Sequence, residues 1–348
     1  MTHAGPPVGE KAHDPGIASA HDRAEQAPRA VAPIERDGRE LLIGISAWTE
    51  PTLIAPGVWY PENVRTAEER LRWYARHFPL VEVDSTYYAI PARRTAELWV
   101  ERTPANFVFD LKAHALMTGQ PSEPSRLPKA LRDALPDEIR AKRRVYASEL
   151  PAEVHDAVWS EFVSSLTPLA ASGKLGAIIL QYPRWFLPNR ESKDAILQAR
   201  ERLQGLPVAV EFRNARWFSE TGADRTLRFL EDEKIPLVLA DTPPGMASSL
   251  PALGIVTSPK LAIARFHGRR RETWEKANAV VSERYRYLYD RDELSEWAER
   301  IKAVAKDATS THAVFNNCYG NYAVVNALEF GGMLRAETIE EGFQRNVG

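Results

Sequence analysis

Short apolar runs recur along the chain at nearly even spacing, and each run ends in polar or charged residues. Eight of them lie between residues 41 and 317: Leu41–Trp48, Leu80–Tyr88, Phe107–His114, Leu175–Pro183, Pro207–Arg213, Pro236–Asp241, Leu261–Gly268 and His312–Asn317. Continuous runs of valine, isoleucine, leucine and alanine are typical of strands covered on both faces, as in a parallel sheet. Amphipathic helical patterns, such as Thr66–His77 and Arg291–Ala305, separate the runs. This alternation predicts an α/β fold, a (β/α)8 TIM-like barrel.

Polar residues at the run ends follow the two-residue period of a strand. Glu211 and Arg213 share one parity, as do Glu82 and Asp84, so each pair is expected on one face of its strand. In barrel enzymes the chemistry gathers at the C-terminal strand ends. The alternative is that polar residues only mark strand ends, but this explains two long charged residues on one face less easily. We therefore predict a functional mouth.

Composition narrows the class of protein. The chain has 348 residues, a net charge of -2 and a pI near 6.5, which give no global signal for a nucleic-acid or membrane partner. No run approaches the ~20 apolar residues of a membrane span, and the N-terminus lacks a secretory signal. A cytoplasmic protein is expected. The single cysteine, Cys318, excludes an intrachain disulfide and a multi-thiolate metal site.

The chain divides by composition into a tail and a barrel. Residues 1–38 are rich in alanine, proline and mixed charge without periodicity, which predicts a disordered tail. Residues 39–348 form the predicted single barrel domain, and two long connections, after His114 and after Asp241, are predicted lids or binding loops.

Basic and aromatic residues near the run ends suggest a ligand class. Seven Lys or Arg stand against three acids from Arg126 to Arg144, and Arg269–Arg271 form a second cluster. Such clusters favour an anionic ligand, such as phosphate or a nucleic-acid backbone, although a solvated surface is the commoner explanation. Trp48, Trp217 and Tyr88 near the run ends suit stacking on sugars or bases, unless they seal the barrel.

Ten segments, in order along the chain, also carry a family resemblance. They include IGISAW, FPLVEVDSTYYAIP, FVFDLKAH, LQYP, AVEFRNARW, LADTP, ARFHG and VFNNCYGNYAVVNA. Over roughly residues 41–335 the chain resembles the DUF72 family, also called YecE-like proteins. The resemblance implies a TIM-like barrel and leaves the reaction open.

The family pattern, carried over residue by residue, coincides with the polar residues at the run ends. It selects Ser46, Trp48, Glu82, Thr86, Tyr88, Lys112, Gln181, Glu211, Arg213, Asp241, Arg265, His267 and Asn316. The chain departs from the family pattern at one place, where many members carry a histidine shortly after the lysine strand. Here Thr118, Gly119 and Gln120 occupy that stretch, and His114 lies nearby in the sequence.

These residues lead to one hypothesis. Glu211 or Glu82 acts as general base, while Lys112 and Arg265 hold the anionic group of a sugar phosphate, nucleotide or nucleic-acid phosphodiester. The predicted catalytic residues are Glu82, Lys112, Glu211 and His267. The predicted substrate-binding residues are Ser46, Trp48, Thr86, Tyr88, Gln181, Arg213, Trp217, Asp241, Arg265 and Asn316.

Three alternatives stay open. A divalent metal held by Glu82, Glu211, Asp241 and His267 would activate water, but no HxH or HExxH spacing favours it. Glu82 and Glu211 would instead form a glycosidase pair. Third, the mouth would bind a nucleotide, a nucleic acid or a protein without catalysis. No cofactor and no protein partner is assigned.

Overall fold

The structure is a computed structural model that describes residues 15–277 and 279–345. Its strands are β1 (Ile34–Arg36), β2 (Arg39–Ser46), β3 (Leu80–Val83), β4 (Val108–Lys112), β5 (Leu175–Gln181), β6 (Val208–Glu211), β7 (Val238–Asp241), β8 (Leu261–Phe266) and β9 (Ser310–Phe315).

Helices lie between most of the strands. They are α1 (Pro15–Gln26), α2 (Ala67–Tyr74), α3 (Arg93–Glu101), α4 (Lys129–Asp133), α5 (Asp137–Arg140), α6 (Ala152–Ala171), α7 (Arg190–Arg202), α8 (Ala223–Asp232), α9 (Arg271–Trp274), α10 (Val281–Arg284), α11 (Arg291–Asp307) and α12 (Tyr322–Arg345). Among the described residues, no helix combines the length and the apolar character needed to cross a membrane.

Strand order confirms the predicted fold class. The sheet runs β6-β5-β4-β3-β2-β9-β8-β7, and β1 pairs with β2 in antiparallel orientation outside this order. Parallel register joins β2 to β9 and β4 to β5. An isolated parallel bridge between Val210 and Leu237 nearly closes the series. Eight parallel strands with intervening helices are a (β/α)8 TIM-like fold.

Two compact units make up the chain. Unit 1 contains the described residues up to Val81, Leu239–Pro244 and the described residues from Ala252 onward, and unit 2 contains Glu82–Val238 and Gly245–Pro251. The strand ends of β4, β5 and β6 belong to unit 2, whereas those of β2, β8 and β9 belong to unit 1. The single-domain assignment stays a prediction.

The N-terminal segment differs from the disordered tail that composition predicts. Residues 1–14 lie outside the described residues, but residues 15–38 contain α1 and β1. Ile17 and Ala20 of α1 are buried in an apolar cluster with Tyr322, and the Arg23 guanidinium donates to the Glu329 carboxylate at 2.8 and 2.5 Å. These long-range contacts order a segment whose composition carries no such signal, so the expectation is corrected for residues 15–38.

The second predicted strand, Leu80–Tyr88, also ends earlier than expected. β3 stops at Val83, and Asp84–Tyr87 form a turn of 3-10 helix. The Thr86 hydroxyl lies 2.8 Å from the Val83 carbonyl oxygen and 2.6 Å from that of Lys112. These contacts turn the chain out of the strand, so the two-residue alternation does not apply to Thr86 or to Tyr88.

Gly44 allows the backbone of β2 to approach β3 closely. A Cβ atom on Gly44 would overlap the Leu80 carbonyl oxygen. Beside it, the Tyr74 hydroxyl donates to that oxygen at 2.7 Å and accepts from the Ile45 amide at 2.9 Å. Burial of this hydroxyl raises the pKa of Tyr74 well above its usual range, so it stays a neutral bridge.

We expect Gly44→Ala to lower the free energy of unfolding by about 3 kcal/mol, because overpacking against backbone cannot be relieved by a rotamer change. Urea denaturation followed by circular dichroism measures it. Gly254→Ala is the control, since its Cβ would lie 3.9 Å from the nearest atom, in Arg300, and we expect a change within about 1 kcal/mol. Equal effects of the two substitutions would refute the close approach.

Candidate functional site

In unit 2, Lys112 at the end of β4 lies between a carboxylate and an aromatic ring. Its Nζ is 3.3 Å from Asp84 Oδ1 and 4.3 Å from the centroid of the Tyr87 ring. The Lys112 side chain is 10% exposed and that of Asp84 is 28% exposed. We call Asp84, Tyr87 and Lys112 the lysine cluster. It places a cation and a partly accessible base side by side.

Gln120 supports this cluster from the loop after β4. Its Oε1 accepts from the Tyr87 hydroxyl at 3.0 Å, and its Nε2 donates to the Gln181 carbonyl oxygen at 3.0 Å and to Thr118 Oγ1 at 3.1 Å. Gln120 thus ties the ring beneath Lys112 to the end of β5. This is the stretch in which relatives were expected to carry a histidine, and here an uncharged amide fills it.

A second charged pair lies at the end of β6. Glu211 Oε1 is 2.5 Å from Arg213 Nε, and the side chains are 0% and 11% exposed. Arg213 also donates to Gln181 Oε1 at 3.3 Å, so three of the predicted residues are brought together. We call Glu211 and Arg213 the arginine pair. Glu82 of β3, the other predicted base, is fully buried.

Tyr88 and Trp217, both predicted to stack on a ligand, have opposite surroundings. The Tyr88 ring is 42% exposed and has the Arg126 guanidinium 5.8 Å from its centroid. Trp217 is fully buried, stacks on Phe212 with ring centroids 4.1 Å apart, and donates from Nε1 to the Phe186 carbonyl oxygen. The surroundings of Trp217 are those of a packing residue that seals the fold.

Both basic clusters of the sequence are largely neutralised by their own neighbours. In the segment from Arg126 to Arg144, basic side chains pair with acids close in sequence, at Glu123, Asp133, Asp137 and Glu149. Arg270 in the second cluster pairs with Glu283 at 2.9 Å. The first cluster is therefore mainly self-paired surface, and its Arg126 lies 5.8 Å from the centroid of the Tyr88 ring. In the second cluster, Arg269 is bound to Asp241, a predicted site residue.

His114, which follows β4, is buried and neutral. Burial lowers its pKa to about 4, and a hydrogen bond with the Tyr88 backbone opposes this only in part. Ser122 Oγ lies 3.4 Å from its Nε2. At neutral pH this imidazole therefore carries no charge.

In unit 1, Asp241 at the end of β7 is the centre of a buried network. Its carboxylate accepts from the Arg269 guanidinium at 2.9 to 3.1 Å, from the Tyr289 hydroxyl at 2.6 Å and from Trp297 Nε1 at 2.9 Å. Burial, and next the neighbouring carboxylate, raise the pKa of Tyr289 well above its usual range. The network occupies the oxygens that a ligand would contact, and the binding role of Asp241 stays a prediction.

Two more predicted residues meet in unit 1. Asn316 Nδ2 lies 2.8 Å from His267 Nδ1, and the Trp274 and Tyr285 rings each have their centroids 6.0 Å from that of His267. His267 is fully buried, so its imidazole is held by an amide and two rings.

The remaining predicted residues of unit 1 are also buried. Arg265 is 0% exposed, Ser46 1% and Trp48 8%. The Ser46 carbonyl oxygen accepts from Cys318 Sγ at 2.9 Å, and that of Trp48 accepts from the Tyr60 hydroxyl at 2.6 Å.

Sequence reasoning did not select three residues of the lysine region. Asp84 shares the parity of Glu82 and was detectable from that alternation. Tyr87 has the opposite parity and joins the cluster only because β3 ends at Val83. Gln120 is 61 residues from the carbonyl it contacts, and no local pattern signals it.

The ligand set of the metal alternative does not assemble in the described residues. Across residues 15–277 and 279–345, no group of three or more His, Cys, Asp or Glu side chains is arranged to hold a metal ion. Two of the four proposed ligands, Asp241 and Glu211, instead contact arginines.

We expect Arg213→Met to lower the free energy of unfolding by about 3 kcal/mol, because it leaves the buried Glu211 carboxylate without its cation. Adding Glu211→Gln should recover part of this loss. Urea denaturation of the single and double variants measures both. Arg202→Met is the control, since its partner Asp156 is 62% exposed, and we expect a loss below about 1 kcal/mol. A double variant as unstable as the sum of its singles would contradict the pairing.

We expect His114 to make the fold sensitive to acid. The pKa is about 4 when folded and about 6.5 when unfolded. Stability is therefore fully present above pH 6.5 and is lost as the pH falls towards 4, by up to about 3 kcal/mol, because the unfolded chain binds a proton that the folded chain excludes. Urea denaturation at pH 7 and pH 4.5 measures the loss. His114→Gln should lose less between these values, and equal losses would contradict the assignment.

Comparison with known proteins gives a consistent picture. The family profile described as "Protein of unknown function DUF72" matches residues 42–346. The UPF0759 protein YunF of Bacillus subtilis is 28% identical over 300 residues, which are 85% of this chain and 95% of YunF. The crystal structure of a DUF72 family protein from Enterococcus faecalis superposes with a TM-score of 0.67 at 26% identity, and the match covers 85% of this chain and 95% of that protein. The crystal structure of a DUF72 family protein from Thermotoga maritima superposes with a TM-score of 0.65 at 28% identity, and the match covers 85% of this chain and 99% of that protein.

Proposed function

The chain belongs to the DUF72 family, and from its own residues we propose that it is an enzyme acting on a phosphate-bearing substrate, such as a sugar phosphate, a nucleotide or a nucleic-acid phosphodiester. The observation that carries the proposal is the lysine cluster, in which the Lys112 ammonium and the Asp84 carboxylate lie 3.3 Å apart. A cation that holds the phosphate and an adjacent base that takes a proton are the two groups such a reaction needs.

Lys112 holds the anionic group in this proposal. Its ammonium is mostly withdrawn from water. In such a buried environment a charge attracts an anion more strongly than it does in bulk solvent. An ammonium binds phosphate as a point charge and needs no fixed approach direction. Arg126, which lies beside the exposed Tyr88 and pairs with Glu123, is a second cation of the same unit.

Asp84 takes the role of general base, in place of the originally expected Glu82 or Glu211. Glu82 and Glu211 are fully buried, and Glu211 is paired with Arg213. A base must come within about 3 Å of the atom that carries the proton it removes, which a partly exposed carboxylate does more readily than a buried one. When the substrate phosphate draws the Lys112 ammonium towards itself, the Asp84 carboxylate is released from its ion pair with Lys112. It can then accept the proton that the reaction removes.

We expect inorganic phosphate, ribose 5-phosphate or AMP at millimolar concentration to raise the melting temperature by about 2 °C or more, because a ligand of the native state adds to its stability. Lys112→Met should abolish the shift. Differential scanning fluorimetry measures it. Lys129→Met is the matched control, since it removes the same charge in the same unit from a side chain that is 80% exposed, and it should keep the shift. An unchanged melting temperature with every phosphate compound would overturn the proposal.

A non-catalytic binding module is the second candidate function. Lys112 and Arg213 are each paired with an acidic side chain. Such ion pairs also occur in networks that only stabilise the fold, and this favours a site without catalysis. Asp84→Asn separates the two functions. If the protein is an enzyme, the Asp84→Asn variant binds the stabilising compound but no longer converts it. The conversion is measured by 31P NMR. If the wild-type protein binds that compound and leaves it unchanged, the binding module is the correct function.

A further inference from the structure

Tyr88 is an exposed tyrosine in direct contact with the lysine cluster. It follows the 3-10 turn after β3, and its amide donates to the Ser85 carbonyl oxygen at 3.0 Å. Its ring centroid lies 4.9 Å from that of Tyr87, with the two rings nearly perpendicular, and the Lys112 ammonium lies over the Tyr87 ring. The Tyr88 ring is therefore one ring removed from that ammonium, on a backbone that the turn holds in place.

Exposure distinguishes Tyr88 from the packing rings of unit 2. Tyr88 is 42% exposed, whereas Phe212 and Trp217 are 1% and 0% exposed and fill the interior. Tyr146 and Trp185 are also exposed, but in the part of the chain that the structure describes, no ring contact, ion pair or hydrogen bond joins either of them to the lysine cluster. Since a flat apolar ring gains by stacking on another ring, Tyr88 is the exposed ring placed to contact a ligand of Lys112.

The groups around Tyr88 add a cation to this ring. The Arg126 guanidinium lies 5.8 Å from the ring centroid. Arg126 also pairs with Glu123 at 3.1 Å, but both side chains are about half exposed, and such a surface pair is weak. His114, which lies against the Tyr88 backbone, is buried, and its pKa of about 4 leaves it neutral at pH 7. An aromatic ring beside a guanidinium is the combination on which nucleobases stack.

We propose that Tyr88 stacks on the base of a nucleotide whose phosphate is held by Lys112. This inference rests on the proposed function and narrows its substrate to phosphate compounds that carry a nucleobase. One sugar joins base and phosphate in a nucleotide, so the protein groups that bind them have to be near each other without touching. Tyr88 and Lys112 meet this condition, with the Tyr87 ring between them. Tyr88 thus determines specificity and takes no part in proton transfer.

The test compares two compounds that differ only in the base. AMP and ribose 5-phosphate share the sugar and the phosphate, and isothermal titration calorimetry of the full chain gives both dissociation constants. We expect AMP to bind at least about tenfold more tightly, which is within the range for one stacked base. Lys112→Met should weaken both compounds by a similar factor, because both carry the phosphate.

Tyr88→Leu tests the stacking ring. It keeps an apolar side chain and removes the flat face, so the affinity for AMP should fall about tenfold and that for ribose 5-phosphate by less than about twofold. Tyr88→Trp retains a flat ring and should retain the preference for AMP. Tyr146→Leu is the matched control, since it removes a tyrosine of the same unit that is 45% exposed, and it should change neither affinity.

The outcomes separate this inference from the proposed function. Equal, Lys112-dependent binding of AMP and ribose 5-phosphate would overturn the nucleotide inference and leave phosphate binding intact, as would equal effects of Tyr88→Leu and Tyr146→Leu on AMP. Failure of both compounds to bind would overturn both proposals.

A dinucleotide with a 5′-phosphate identifies the source of the base. Affinity equal to that of AMP indicates a free nucleotide, and affinity about tenfold higher indicates the end of a nucleic-acid strand, because a strand offers a further base to stack. In both cases Tyr88→Leu has to weaken the dinucleotide, and an unchanged affinity would contradict the inference.

Discussion

Charge that is buried at a strand end has to be compensated, and this constraint organises the polar part of the protein. Removing an ion from water costs several kcal/mol, which only a close counter-charge or several hydrogen bonds offset. Lys112 meets Asp84, Glu211 meets Arg213, and Asp241 meets an arginine, a tyrosine and a tryptophan. These side chains lie at or just after the strand ends, and their pairing determines which polar atoms stay accessible.

Pairing also changes which residues can take part in chemistry. Glu211 is one of the two bases that the sequence predicts, yet its burial against Arg213 makes it a structural partner first. Asp84 is more accessible because it lies on the 3-10 turn that follows β3 rather than within the strand. Gln120 holds Tyr87 beneath the ammonium of Lys112. The uncharged amide at this position leaves that ammonium as the cation of the cluster.

The N-terminal segment shows how packing overrides composition. Its alanine and proline content and mixed charge are typical of a disordered tail, but only a few anchoring contacts are needed to order one helix. Ile17 and Ala20 supply apolar contacts, and Arg23 reaches the carboxylate of Glu329, 306 residues away in sequence. A segment whose composition carries no such signal is thereby anchored on α12.

By itself, the sequence determined the strands, most of the helices, the barrel class and the residues at the strand ends, because hydrophobic periodicity and strand polarity are local properties. It also identified Lys112, Glu211 and Arg213 as residues of the candidate site. Only the tertiary structure decided the partners: the Asp84 carboxylate beside Lys112, Gln120 beneath Tyr87 and the order of α1. These depend on contacts between residues 28 to 306 positions apart, and no periodicity within one segment encodes which distant side chain lies within hydrogen-bond distance.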